Sequence, residues 1–379
     1  MLPEIQKALE ESRENLLASL VIISEIPAPT FQEAARIQYL KDRFTEYGLT
    51  NYTCDETGNG SVVIDGATGE RNILILAHVD TVHKSSVDHT VTVLPDIVFG
   101  PGVGDNSLGV AMLATLPLIL EKINYQFHSN LILMGAVRSL GRGNLEGQRF
   151  FLNNVNRKID AGICVEGLKL GRLSYKSLGM RRGQFNVTVP QEAAWHPFGT
   201  FGAVRVMNQV INRLNQIPLP TDPRSTIILG SIDGGESYNT LATKATLRFE
   251  VRSESDRVPE EVEKELRLIA EEVASESGAE VKMDIFAQRL SGGIHFSHPL
   301  VHATRSVMDA LDIEPIIRPS TSEISEFINH GIPAVTLGIT ECDNLGQPDE
   351  TIYIEPIIRG AAQIIGVLIA IDQGAIDEY

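Results

Sequence analysis

The sequence predicts an α/β protein: a mostly parallel mixed sheet flanked by helices, with a smaller α+β domain inserted into it. Three observations point there. "NILILAHVD", "SNLILMGAV" and "AGICVEG" are continuous apolar runs that alternate with helical segments, as strands buried on both faces do. "RRGQFNVTVP" and "KATLRFEVRSES" instead alternate apolar and polar residues, the mark of half-exposed antiparallel strands. After about Leu290 the buried type returns with "GIPAVTLGI" and the helix "IEPIIRGAAQIIGVLIAI". The larger domain is therefore expected over 1–176 and 291–379, and the inserted one over 177–290.

The elements follow from periodicity and punctuation. Apolar spacing predicts one helix from about Pro3 to Ile23. A second helix follows in "PAPTFQEAARIQYLKDRFTEYGL", where Thr30 and Glu33 form a capping box and Gly48 a stop. "SVVID", "NILILAHVD" and "TVTVLP" carry strand signals. "SLGVAMLATLPLILEK" reads as a buried helix and "NLEGQRFFLNN" as a helix start. Within the insertion, "GAVRVMNQVINRL" and "PEEVEKELRLIAEEVASESG" are amphipathic helices and "VKMDIFAQ" is a closing strand.

The chain has 379 residues, 43% of them hydrophobic and 21% charged, so a two-domain core is affordable. Its formal net charge of -17 disfavours nucleic acid and anionic membrane surfaces as partners. Cys54, Cys164 and Cys342 are too few and too scattered for a disulfide framework or a CxxC site. The N-terminus is charged and amphipathic, unlike a secretory signal, and the longest apolar runs are too short to span a bilayer. A cytoplasmic protein is expected.

Candidate chemistry gathers at strand ends. His78 and Asp80 close "NILILAHVD", and i, i+2 side chains on a strand share a face, so Asp80 is placed to ligate a metal or to orient the imidazole. Asp105 lies in the glycine-rich turn "GPGVGDNSLGV", where an ordinary helix N-cap is the competing role. Glu166 ends "AGICVEG". The carboxyl edge of a parallel sheet gathers His78, Asp105 and Glu166, one nitrogen and two carboxylates, which suits a zinc site with an open position.

The order of "LAHVDTV", "GVGDNSLGVAML", "GNLEG", "VEG", "WHPFGTFG", "GGESYNTLA", "FEVRS", "GIPAVTLG" and "PDETI" resembles the co-catalytic zinc metallopeptidases and deacylases. That family includes aminoacylases, acetylornithine and succinyl-diaminopimelate deacylases and glutamate carboxypeptidases. The resemblance covers nearly the whole chain. It implies a zinc-exopeptidase-like fold, a homodimer formed through the inserted lid domain, and metal-dependent hydrolysis of a small peptide or an N-acyl amino acid. By resemblance, His78 and Glu166 hold one metal, Asp105 bridges two, and Asp80 orients His78. His196 matches a lid histidine that stabilises the developing oxyanion in the partner's site. Asn239 and Arg252 match groups that hold the substrate carboxylate, and the planar fork of an arginine suits that task.

The departures fall at the catalytic core. The family carries two consecutive glutamates after the strand equivalent to "LILMGAV"; Ser139 and Leu140 stand there instead. A metal-binding histidine is replaced by Gly346. Leucine cannot ligate zinc, and serine is no base near neutral pH; general base catalysis is typically worth about 10²–10⁴-fold. At most one zinc or other divalent ion per chain is expected, with orthodox dinuclear hydrolysis absent or strongly impaired. The resulting expectation is a divergent hydrolase; the alternative is a non-catalytic relative that binds a small carboxylate or a protein partner. Arg138 or Arg142 is a candidate for positive charge where the second metal would lie. Glu341, Cys342 and Asp343 are candidates for substitute ligands near Gly346.

Overall fold

A computed structural model describes residues 1–190 and 201–377. The chain divides into two compact units, residues 1–176 with 293–379, and residues 177–292.

The larger unit is built on an eight-stranded mixed sheet. From one edge the order is Thr53–Cys54, Gly60–Ile64, Asn130–Ala136, Asn72–His78, Ala161–Leu168, Ala334–Thr340, Arg172–Ser174 and Ile316–Ile317. The four central strands are parallel to their neighbours in this group. Gly60–Ile64 and Arg172–Ser174 flank that centre antiparallel to it. The central strands are buried almost throughout, which explains why their sequences do not alternate. All four central strands run the same way, so His78 and Glu166 emerge at one edge of the sheet.

The helices differ from expectation at two places. The N-terminal segment forms two helices, Leu2–Glu10 and Arg13–Glu25, rather than one. Ser12 takes the N-cap of the second. The break lets Leu2–Glu10 pack on the closing helix Ile357–Asp372 while Arg13–Glu25 packs on Leu108–Ile123. The next helix, Ala34–Glu46, begins after Glu33 instead of at a Thr30 capping box. The Thr30 hydroxyl donates to Asp80 Oδ2 at 2.8 Å, and Glu33 accepts from the Phe31 N–H at 2.9 Å. A tertiary bond has taken the capping hydroxyl.

The helical run Val103–Ile123 is the one described span long and apolar enough to cross a bilayer, although shorter apolar runs were expected. Its most apolar window is 89% buried inside the unit, as befits a core helix.

The smaller unit is a four-stranded antiparallel sheet in the order Ser225–Gly234, Lys244–Ser253, Gly179–Thr188 and Glu280–Arg289. Helices Ala203–Leu214 and Arg257–Ser277 cover one face, where Phe185, Leu247, Phe249, Val251 and Leu266 form the core. Arg182 and Glu250 are direct cross-strand partners. Ser225–Gly234 is an edge strand with Ile228, Leu229 and Ile232 exposed.

A candidate metal centre at the sheet edge

His78, Asp105 and Glu166 come together: one ligand atom from each lies within 4.8 Å of the others. His78 is the last residue of its strand, and its Nε2 faces Asp105 Oδ1 at 3.0 Å. Its Nδ1 lies 3.0 Å from the Asp80 carbonyl oxygen and 3.4 Å from Asp80 Oδ1. Asp80 is thus placed to orient the imidazole, through its backbone as well as its carboxylate. Asp80 Oδ2 accepts from the Thr30 hydroxyl and from the Leu140 N–H, both at 2.8 Å. Oδ1 is buried without a hydrogen-bond donor.

Asp105 is set by its neighbours in the turn before Leu108–Ile123. Asn106 donates to the Val165 carbonyl at 2.9 Å and accepts from the Gly167 N–H at 2.7 Å, which lashes the turn to the strand carrying Glu166. That approach requires glycine at 167: a Cβ there would meet the Gly104 carbonyl oxygen at 2.1 Å. From below, the buried Glu350 carboxylate accepts from the N–H groups of Gly104, Asp105 and Gly346, at 2.7, 2.8 and 2.7 Å.

The electrostatics favour a cation. Burial opposes charge on His78, but hydrogen bonds to Asp105 and Asp80 overcome it and raise the imidazole well above its usual range. Burial also works against ionised Asp105, and the His78 contact outweighs it, so that carboxyl is lowered. Glu166 is pushed up to about 7 by burial, with Arg172 opposing the rise and Glu323 adding to it. Three ligand atoms converge, and the carboxylates outnumber the cations beside them. A divalent ion answers both conditions.

The positions where a second metal was expected have a different character. Ser139 is buried and its hydroxyl has no hydrogen-bond partner. Leu140 contributes its N–H to Asp80 and no ligand atom. Gly346 has φ +73, with open space where a Cβ would project, and gives its N–H to Glu350. The expectation of charge from Arg138 is corrected: its Nη1 pairs with Glu146 at 2.7 Å and its guanidinium lies over the Phe31 ring. Arg142 is exposed. The substitute ligands near Gly346 have other partners as well. Glu341 pairs with Lys169, and Asp343 accepts from the Tyr353 hydroxyl at 2.6 Å. Burial pushes the Cys342 thiol up to about 12.

The cation beside the triad is Arg172, which the sequence reading did not single out. Its Nη1 is 3.5 Å from Glu166 Oε1, and its Nη2 donates to the Ser320 hydroxyl at 3.0 Å. Glu323 and Glu350 were missed too, although Glu350 stands in the "PDETI" motif. Buried Arg36 donates to the Ile26 and Val79 carbonyls, and burial lowers it to about 10, with Asp80 sustaining its charge. In the smaller unit, Asn239 is exposed and accepts from the Ser237 hydroxyl at 3.1 Å. Arg252 pairs with Glu250 through Nε. His196 lies outside the described residues.

Residues 193–278 match the peptidase dimerisation domain of M20 peptidases. The di-peptidase Dug1p from Saccharomyces cerevisiae superposes with a TM-score of 0.81 at 12% identity, covering 99% of each chain. The chain has the M20 metallopeptidase fold. Human carnosine dipeptidase 1 gives 0.76 at 10% identity, over 98% of this chain and 100% of that one. The M20 family metallo-carboxypeptidase of Sulfolobus solfataricus gives 0.74 at 14% identity, over 93% and 98%. No curated protein matches the chain significantly in sequence. This M20 fold explains why the ligand triad sits where the central strands end: that edge is where open α/β sheets place their sites.

Proposed function

We propose that the chain is a slow, divalent-metal-dependent hydrolase of peptide or N-acyl amide bonds. It works as a homodimer with one zinc or other divalent ion per chain, held by His78, Asp105 and Glu166. The observation that carries this reading is the convergence of those three ligand atoms within 4.8 Å. A divalent ion there supplies Lewis-acid polarisation of an amide carbonyl. Asp80 fixes the His78 ring, and Asn106 with Glu350 fixes the Asp105 turn, so the ligand set is organised in advance. The dimer is supported by the matched dimerisation domain.

The missing base makes the reaction slow. A serine hydroxyl at position 139 takes no proton near neutral pH, which costs about 10²–10⁴-fold. The buried Ser139 hydroxyl and the glycine at 346 also favour a second reading, a metal-bearing protein that binds small carboxylates without cleaving them.

Metal analysis and a substrate panel decide between them. Protein purified without chelator is expected to carry one equivalent of divalent metal per chain and to cleave dipeptides or N-acyl amino acids slowly. His78→Ala is expected to lose both properties. Two equivalents, or none after reconstitution, would overturn the one-ion reading. Metal binding without cleavage of any substrate would leave the non-catalytic reading standing.

A further inference from the structure

We propose that Arg172 is the carboxylate anchor of this centre: a fixed guanidinium beside the metal triad that receives the anionic end of a small ligand. The proposal deepens the function proposed above by naming what fixes its ligand, and it rests on that reading only in placing the ligand at the triad.

The argument begins with where Arg172 is held. It opens the short strand Arg172–Ser174, which returns antiparallel on Ala334–Thr340 and pairs parallel with Ile316–Ile317. Ile316 is its register partner, and the next two residues, Leu173 and Ser174, pair with Leu337 and Thr336. Its Nη2 is tethered to Ser320, whose hydroxyl donates in turn to Ser322 Oγ at 3.0 Å. A long side chain thus reaches the triad from a rigid base, with little rotamer freedom left to lose on binding.

The second element is unused bonding capacity. A guanidinium has five N–H donors. Arg172 makes one hydrogen bond among the described residues, to Ser320. Its contact with Glu166 at 3.5 Å is an ion pair without a hydrogen bond. Arg181 and Arg182, by contrast, hydrogen-bond directly to Glu263 and Glu250. Arg172 is also 26% exposed, so part of its side chain is open to solvent.

The third element is charge. Arg172 is the cation other than His78 that ion-pairs with the triad among the described contacts. Its field opposes the rise of the Glu166 carboxyl and, after His78, helps to lower that of Asp105. Once those two carboxylates are committed to an ion, the guanidinium loses the carboxylate it pairs with. A ligand carboxylate meets it with two parallel N–H···O bonds, the geometry at which arginine exceeds lysine.

The test is calorimetric titration of N-acetylglycine and its uncharged analogue N-acetylglycinamide into the full chain, with and without one equivalent of zinc. Wild type is expected to bind the acid at least tenfold more tightly than the amide. Arg172→Gln is expected to lose at least tenfold in affinity for the acid and nothing for the amide, while still taking up one equivalent of zinc. Arg172→Lys, which keeps charge and fold but lacks the planar fork, is expected to fall between the two. Ser320→Ala, which frees the tether alone, is expected to lose a few-fold. If Arg172→Gln does not fold, the order wild type, Ser320→Ala, Arg172→Lys carries the test. Equal binding of acid by wild type and by the folded Arg172 variants would overturn the proposal, as would equal binding of acid and amide by wild type. Failure to bind zinc would instead overturn the metal reading, because the acid titration is also run without metal.

Discussion

Glu166 in the larger unit and Glu250 in the smaller one are both buried glutamates beside arginine, and they are balanced differently. Glu250 receives Arg182 at 2.5 Å and Arg252 from the other side. Burial opposes its charge, but the two guanidinium groups prevail and hold its carboxyl below the usual range. Glu166 has one arginine at 3.5 Å and shares its surroundings with Asp105 and Glu323. Its carboxyl rises to about 7. A structural carboxylate has its cations built in; a ligand carboxylate waits for one that arrives from solution.

The sharpest way to break that contrast is to supply a cation. Zinc at about a thousand times its dissociation constant is expected to raise the unfolding free energy by about 4 kcal/mol. Glu166→Gln should abolish that gain, and Glu250→Gln should leave the zinc affinity unchanged. Urea unfolding with and without zinc measures both. An unchanged midpoint in zinc would remove the distinction altogether.

Next in size, Glu250→Gln itself is expected to cost about 2 kcal/mol, at the low side for a broken buried pair because both arginines are partly open to water. Glu166→Gln in metal-free protein should cost far less, or stabilise, since it removes a poorly compensated charge. Chemical denaturation of the two variants in chelator tests the order.

The pH dependence should separate the two glutamates by sign. The folded-state value of Glu166 lies near 7, above its ordinary 4.5, so the folded protein holds a proton that the unfolded chain has released. Metal-free stability should therefore fall, by about 3 kcal/mol at most, as pH rises from about 4.5 to about 7. Glu250 is lowered, so its contribution is present above its ordinary value and is lost as pH falls through its depressed one. Glu166→Gln should flatten the first slope and Glu250→Gln the second.

The smallest expected effect is at Ser139. Its buried hydroxyl has no partner, so Ser139→Ala should leave stability unchanged or raise it by about 1 kcal/mol, and leave turnover unchanged. A large loss of turnover would make Ser139 part of the chemistry.

Much of the fold was legible because its signals are local. Buried strands such as Ala161–Leu168 announce themselves by unbroken apolar runs; the ends of those runs named His78 and Glu166, and a glycine-rich turn named Asp105. What the sequence hid is set by tertiary contact. Thr30 looks like a cap and is taken by Asp80, 50 positions away. Arg138 looked free for the site and is folded back on Glu146. Arg172 carries no motif; its importance comes from a strand that returns beside Ala334–Thr340, which no local pattern around it encodes.

Glu350 has a consequence for how the protein is made. Its carboxylate fixes the backbone of Gly104 and Asp105, 246 and 245 positions upstream. A chain emerging from the ribosome has His78, Asp105 and Glu166 long before the support of the Asp105 turn, which arrives only in its last tenth. That turn is thereby completed at the end of translation, and a chain truncated before Glu350 should fold its central strands yet leave the turn unsupported.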